Sequence, residues 1–165
     1  MAKLFVLIFF LTFSAQADNI VTNNCHKHEF KKFLVKIYDI YLCKEDNLAL
    51  NYHNIYQHNF SLIIHYNIDI KKTKLISSTL SEISRYHKLN YREKKYLKNK
   101  FTEIYPDILK SDVLKAKYNV KQGLQFFYNN KLAGKIINKD NATKFLDIWL
   151  YKHNHYKKMQ QDLVN

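Results

Sequence analysis

The residues able to do chemistry are few and scattered. Cys25 and Cys43 are the only two cysteines of the 165-residue chain. They flank its first hairpin region, and can form a disulfide or stay as two buried thiols; a bridge persists only in an oxidising compartment. Cys25-His26-Lys27-His28, if the segment is a strand, sets two imidazoles on one face beside a thiol, a pattern with soft-metal character. Its spacing matches no zinc motif, and His153 and His155 form a separate pair, so neither a metal nor a cofactor is read from the sequence. His65 lies inside an apolar strand, where a hydrogen-bonded core imidazole is the ordinary role and a general base the alternative. Gly123 and Gly134 are the only glycines and frame no phosphate-cradling loop. No nucleophile elbow, His-Glu-x-x-His run or paired-carboxylate motif occurs.

Aromatic residues are the other resource: 13 Tyr, 11 Phe and a single Trp, 15% of the chain. Side chains such as Phe60, Tyr66, Phe126, Phe127, Phe145 and Trp149 can fill a core or wall a cleft for an apolar ligand. Which of these they do depends on the elements that carry them. Residues 33–43 are rich in β-branched and aromatic types and read as a strand; Phe60–Tyr66 is a second, and residues 44–58 between them read as a polar loop with room for a short irregular turn. From Lys71 to His87 the apolar period becomes helical through Leu75, Ile76, Leu80 and Ile83. A second helix repeats Leu97, Phe101, Ile104 and Ile108, with Asn90 as its cap and Pro106 closing it. Period two returns over Val113 to Val120, Gln125 to Tyr128 and Lys131 to Ile137, with Asn129-Asn130 suited to a tight hairpin turn. A last helix, capped by Asp140 or Asn141, carries Phe145, Leu146, Ile148, Trp149 and Leu150, and residues 153–165 read as a polar tail with weak helical character around Met159 and Leu163. Nothing repeats and no linker divides the chain. The expectation is α+β: a large antiparallel sheet covered by helices on one face.

The N-terminus supplies the compartment. Lys3, an apolar run from Leu4 to Phe13 and the small residues Ala15 and Ala17 are the parts of a secretory signal, so residues 1–17 are expected to be cleaved and the protein to be periplasmic or secreted. The run is shorter than the ~20 residues needed to span a bilayer, which argues against an integral membrane protein. Export also changes how the formal charge of +13 is read. Cleavage removes Lys3 and leaves +12, almost all lysine, with Arg85 and Arg92 the only arginines. Arginine is the residue of bidentate phosphate and base recognition, so no specific nucleic-acid partner is expected. Scattered lysine pairs such as Lys71-Lys72 and Lys157-Lys158 read as solvated faces, with weak association to anionic envelope surfaces as their functional alternative.

Five segments carry a resemblance. Residues 36–42, the strand ending His65-Tyr66 before Asp69, the turn Ile104 to Asp107, Phe127 to Lys131 with Gly134, and Phe145 to Leu150 stand in the order and spacing of the bacterial chalcone isomerase-like family. The resemblance spans residues 24–150 and implies an open-faced β-sandwich over residues 18–152. Enzymes of this family close chalcones to flavanones, and non-catalytic relatives bind fatty acids in the same cleft. The enzymes' catalytic pattern does not carry over: Tyr38 stands where a threonine is expected and His26 near the arginine position. Lys71, Ser78 and Ile148 stand at the tyrosine, asparagine and hydroxyl positions. Without a fixed cation and donors around the developing oxyanion, the parental cyclisation has no physical basis.

Three functions are compatible with these features: a carrier of a small apolar ligand such as a fatty acid, a cell-envelope interaction module, and a divergent isomerase or lyase. The cleft residues expected for the first are Lys36, Tyr38, His65, Ser78, Phe127, Phe145 and Trp149; Tyr38, Lys36 and His65 are the ones to test for the third. A cavity above about 300 Å³ beside Tyr38 and Trp149 separates ligand binding from a filled core.

Overall fold

The computed structural model describes residues 24–45, 51 and 53–164; the leader expected at residues 1–17 lies outside them. Six antiparallel strands succeed one another across one sheet in chain order. They are β1 (Cys25–Lys32), β2 (Val35–Lys44), β3 (Phe60–Tyr66), β4 (Val113–Asn119), β5 (Gly123–Tyr128) and β6 (Lys131–Ile136). Two helices, α1 (Lys72–Tyr86) and α2 (Tyr91–Ile104), are inserted between β3 and β4, and α3 (Lys139–Leu150) and α4 (Lys157–Val164) come after β6. All four pack over one face, giving the open-faced sheet that the sequence implies.

Period two sets that face. Ile40 and Leu42 on β2, Leu62 and Ile64 on β3, and Leu124 and Phe126 on β5 all point under the helices and are buried. Each such side chain contributes about 1.5–3 kcal/mol through burial. Leu75, Ile76, Leu80 and Ile83 on α1, with Leu97, Phe101 and Ile104 on α2, close the core from above. The α2 start is fixed by a capping box, in which the Asn90 side chain accepts from the Glu93 amide at 3.0 Å and Glu93 accepts from the Asn90 amide at 2.9 Å.

The structure corrects the sequence reading at four places. The first strand does not begin at Phe33: residues 25–44 form a hairpin whose two-residue turn is Phe33-Leu34. Strand β1 is only weakly marked, because Phe30 is the one large apolar residue in its run of His, Lys and Glu. Ile108 lies beyond α2, where Tyr105 ends the helix and Ile108 instead bridges to Ile70 with both N–O distances at 2.9 Å. Within residues 44–58, the short irregular turn the sequence allows is a 3₁₀ turn over Ile55–Gln57 that buries Ile55. The α3 cap is Asn138, accepting from the Asn141 amide at 2.9 Å, rather than Asp140 or Asn141. The stretch read as a polar tail folds back as α4, packs on β1 and β2, and buries Met159, Leu163 and Val164.

The β1–β2 hairpin is fastened at one end and strained at the other. At its open end Cys25 and Cys43 face each other and are joined by a disulfide, Cα to Cα 4.1 Å. At its closed end Phe33 (φ 47°) and Leu34 (φ 67°) both hold the left-handed conformation of a primed turn. The β5–β6 hairpin makes the same turn with Asn129 (φ 44°) and Asn130 (φ 65°). Asparagine tolerates this region; a larger L-residue there is disfavoured by roughly 1–2 kcal/mol. Phe33 and Leu34 are 90% and 98% exposed, so no packing within the described chain offsets the strain.

The crossover back into β4 is pinned by Asp112. One carboxylate oxygen accepts from the Leu109 amide at 2.6 Å and the Tyr128 hydroxyl at 2.5 Å, the other from the Asn129 side-chain amide at 2.8 Å. Burial pushes this carboxyl up, but the donors of Asn129, Tyr128 and Leu109 outweigh it and hold it below its ordinary range. A depressed carboxyl stabilises the fold above its unfolded value, and that stability disappears as pH falls through the folded value. Asp112→Asn is therefore expected to lose less stability than wild type between neutral and strongly acidic pH, read as urea midpoints. Equal losses would remove Asp112 as a source of acid sensitivity.

Candidate functional site

A cleft of about 1120 Å³ opens between α1, the inner face of β1 to β3, and the segment leading into α4. Its floor is aromatic: Tyr38, Tyr66, Phe145 and Trp149 all line it. Trp149 on α3 donates its indole N–H to the Tyr38 hydroxyl at 3.1 Å, and the Tyr38 ring stacks on Phe30 with centroids 4.8 Å apart. Thr79 and Tyr105 add two hydroxyls 3.4 Å apart at one wall. Burial pushes the phenols of Tyr38, Tyr66 and Tyr105 well above their ordinary value, so they remain neutral and act as donors or apolar walls rather than bases.

The mouth has a different character. Lys31, Lys32, Lys71, Lys74, Lys157 and Lys158 line it, against the acidic Glu29, Asp69 and Glu82. Lysine stems cover apolar surface while their ammonium groups stay in water, so the rim can meet a carboxylate without closing the entrance.

The expected cleft residues divide between the two faces of the sheet. Tyr38, Ser78, Phe145 and Trp149 line the cleft, but Lys36, His65 and Phe127 do not. Lys36 is moved by a bulge, because Tyr38 pairs with Phe30 while Lys36 pairs with Lys31, leaving Ile37 as the extra residue. The shift sends Lys36 to the outer face, where its ammonium lies 3.0 Å from Glu29 and 2.9 Å from Asp39. His65 pairs with Asp39 on that same face and packs 5.3 Å from the Tyr41 ring; burial holds its imidazole below the ordinary value. Phe127 pairs with Lys115, whose ammonium sits 5.5 Å over its ring. Outside the expected set, Leu75 and Thr79 share the cleft face of α1 with Ser78, and helical spacing alone could have found them. Tyr156 and Met159 also line the cleft and were hidden by the reading of their segment as a tail.

Four of the positions matched to the family's catalytic residues, now Tyr38, Lys71, Ser78 and Ile148, do stand in the cleft; His26 does not. Cys25, being bridged, offers no thiolate, and His28, which lines the cleft, is engaged at 2.7 Å by Asp162. A separate buried network lies at the junction of α1, α3 and the 3₁₀ turn. The Tyr56 hydroxyl donates to Asp147 at 2.5 Å, and His87 Nε2 lies 2.8 Å from the other carboxylate oxygen. None of the three lines the cleft.

The fold and cleft define a class: an antiparallel sheet with helices on one face and an apolar pocket between them. The chalcone isomerase-like family model matches residues 20–165, and the chain belongs to that family. Among solved structures, it is similar to a fatty-acid binding protein of Arabidopsis thaliana, AtFAP1, with a TM-score of 0.57 over 86% of this chain and 83% of that one. The identity is 8%, so the likeness is one of fold. No curated protein sequence matches.

Proposed function

We propose that this protein is exported to the periplasm or secreted, and there carries a small apolar ligand with an acidic head, such as a fatty acid, without chalcone isomerase activity. The observation that carries the reading is the cleft, an apolar space of about 1120 Å³ beside Tyr38 and Trp149 with lysines at its mouth. Pockets for small molecules run from about 300 to 1,000 Å³, and a filled core here would have favoured an interaction module instead. The fatty-acid binding of the similar plant structure is in keeping with this choice. A divergent enzyme finds less support, because Lys36 and His65 are turned away from the cleft and its phenols are held neutral.

Trp149 is the only tryptophan and lines the site, so its emission reports occupancy directly. Titration with palmitate is expected to change that emission saturably. Ser78→Phe, placing a ring in the cleft from an exposed helix position, is expected to weaken binding at least tenfold, with stability changed by about 0.5 kcal/mol or less. An unchanged emission, or equal binding by the variant, rules the cleft out as the site. Chalcone is expected to cyclise at the uncatalysed rate; a heat-labile acceleration would overturn the non-catalytic part.

A further inference from the structure

One chain makes the same two-residue turn twice and fills it with opposite chemistry. Asn129-Asn130 is a pair whose types suit the left-handed backbone of that turn. At the β1–β2 tip the same left-handed geometry is given to Phe33 and Leu34, two residues ill suited to it, and both side chains stand almost wholly in solvent. Val35 beside them is half exposed as well. A strained backbone that presents apolar side chains to nothing within the described chain points to a surface outside it.

The surroundings identify the chemistry of that surface. Lys31 and Lys32 precede the tip and Lys36 comes after it, with the Lys32 ammonium 5.9 Å from the Phe33 ring. Lys31 and Lys36 are held by Glu29. Lys32, together with Lys74 and Lys157 at the cleft mouth, pairs with no carboxylate among the described residues. An apolar point set in a ring of lysines matches an anionic bilayer, which takes the rings and methyls into its interface and the ammonium groups onto its phosphates. Lys31 and Lys32 also line the cleft, so a bilayer that receives the tip meets the mouth of the pocket.

We propose that the β1–β2 hairpin tip is a membrane-docking finger: Phe33 and Leu34 insert into an anionic lipid surface, the adjacent lysines hold its headgroups, and the cleft is set facing the bilayer. Docking itself stands on the tip; the exchange of ligand with lipid that the orientation permits rests on the ligand-carrier reading.

The test uses vesicles of phosphatidylglycerol mixed with phosphatidylcholine, against phosphatidylcholine alone, in a sedimentation assay. Wild type is expected to sediment with the anionic vesicles, less so as salt is raised, and to stay in solution with the neutral ones. Phe33→Asn with Leu34→Gly installs residues suited to the turn, so it is expected to unfold at the same or a higher temperature while vesicle affinity falls at least tenfold. Full retention of binding by this stable variant, or no binding by wild type, overturns the proposal. So does a dimer seen by light scattering that the variant dissociates while vesicles leave wild type in solution, which would assign the tip to a second copy. Palmitate affinity measured through Trp149 without vesicles is expected to be equal in the two proteins. Vesicle binding without any palmitate response would reject the ligand reading and leave docking intact.

Discussion

Breaking the Cys25–Cys43 bridge is expected to lower folding stability by about 3 kcal/mol, the chain-entropy value for a closed loop of this length. The bridge joins residues 18 apart in sequence at the open end of an edge hairpin. Among the described residues β1 has one strand neighbour, β2, and its inner face is covered by α4. Untethered, its first residues lose the constraint that keeps Phe30 against Tyr38, and with it one wall of the cleft. The measurement is urea unfolding of the oxidised protein, the reduced protein and the Cys25→Ala/Cys43→Ala variant. With a denaturant dependence of about 1–3 kcal/mol per molar, the midpoint should fall by roughly 1–3 M in both altered forms. Midpoints within error of the oxidised protein would mean that the hairpin is held by its packing alone.

The second large effect belongs to Asp147. Its carboxylate is buried on α3 and accepts from Tyr56, whose own carbonyl accepts from the Tyr118 hydroxyl at 3.2 Å. His87, at the end of α1, holds the other oxygen. Asp147→Ala leaves a buried hydroxyl and an imidazole without their acceptor, and is expected to lower stability by about 2–4 kcal/mol. Asp147→Asn keeps an acceptor for Tyr56 in the same shape and is expected within about 1 kcal/mol of wild type. Burial raises the Asp147 carboxyl against the pull of Tyr56 and His87. A raised carboxyl binds its proton more tightly in the fold, so its contribution declines as pH rises through the folded value. The asparagine variant lacks that decline. If alanine and asparagine destabilise equally, shape rather than hydrogen bonding holds the junction.

Much of the architecture was legible because burial on one face imposes a period. Strand β3 could be read to its ends, since Phe60, Leu62, Ile64 and Tyr66 alternate under the helices. The capping residue Asn90 was readable for a similar reason, being a local hydrogen-bond pattern. Strand β1 and helix α4 were only faintly marked, because each supplies the cover that the other needs: His28 of β1 meets Asp162 of α4 across 134 residues of sequence. Half of each contact, taken alone, looks like solvated surface. The candidate site was legible to the same extent. Tyr38 and Trp149 were placed by their types within strong elements, whereas Lys36 was misplaced by a bulge at Ile37 that leaves no mark in composition. For Phe127, the alternation against Phe126 was readable, but which of the two faces the helices is a property of the assembled layers.

The sheet is open, and an open sheet has two edges whose unpaired amides and carbonyls are templates for adding another chain. Among the described residues β1 and β6 are those edges, and they carry Lys27, Lys31 and Lys32 on one side of the molecule and Lys131 and Lys135 on the other. Bringing a second copy into register along either edge would stack lysine against lysine, which repels. Part of the excess positive charge thus acts against aggregation. It keeps an open sheet from growing edge to edge into a fibre.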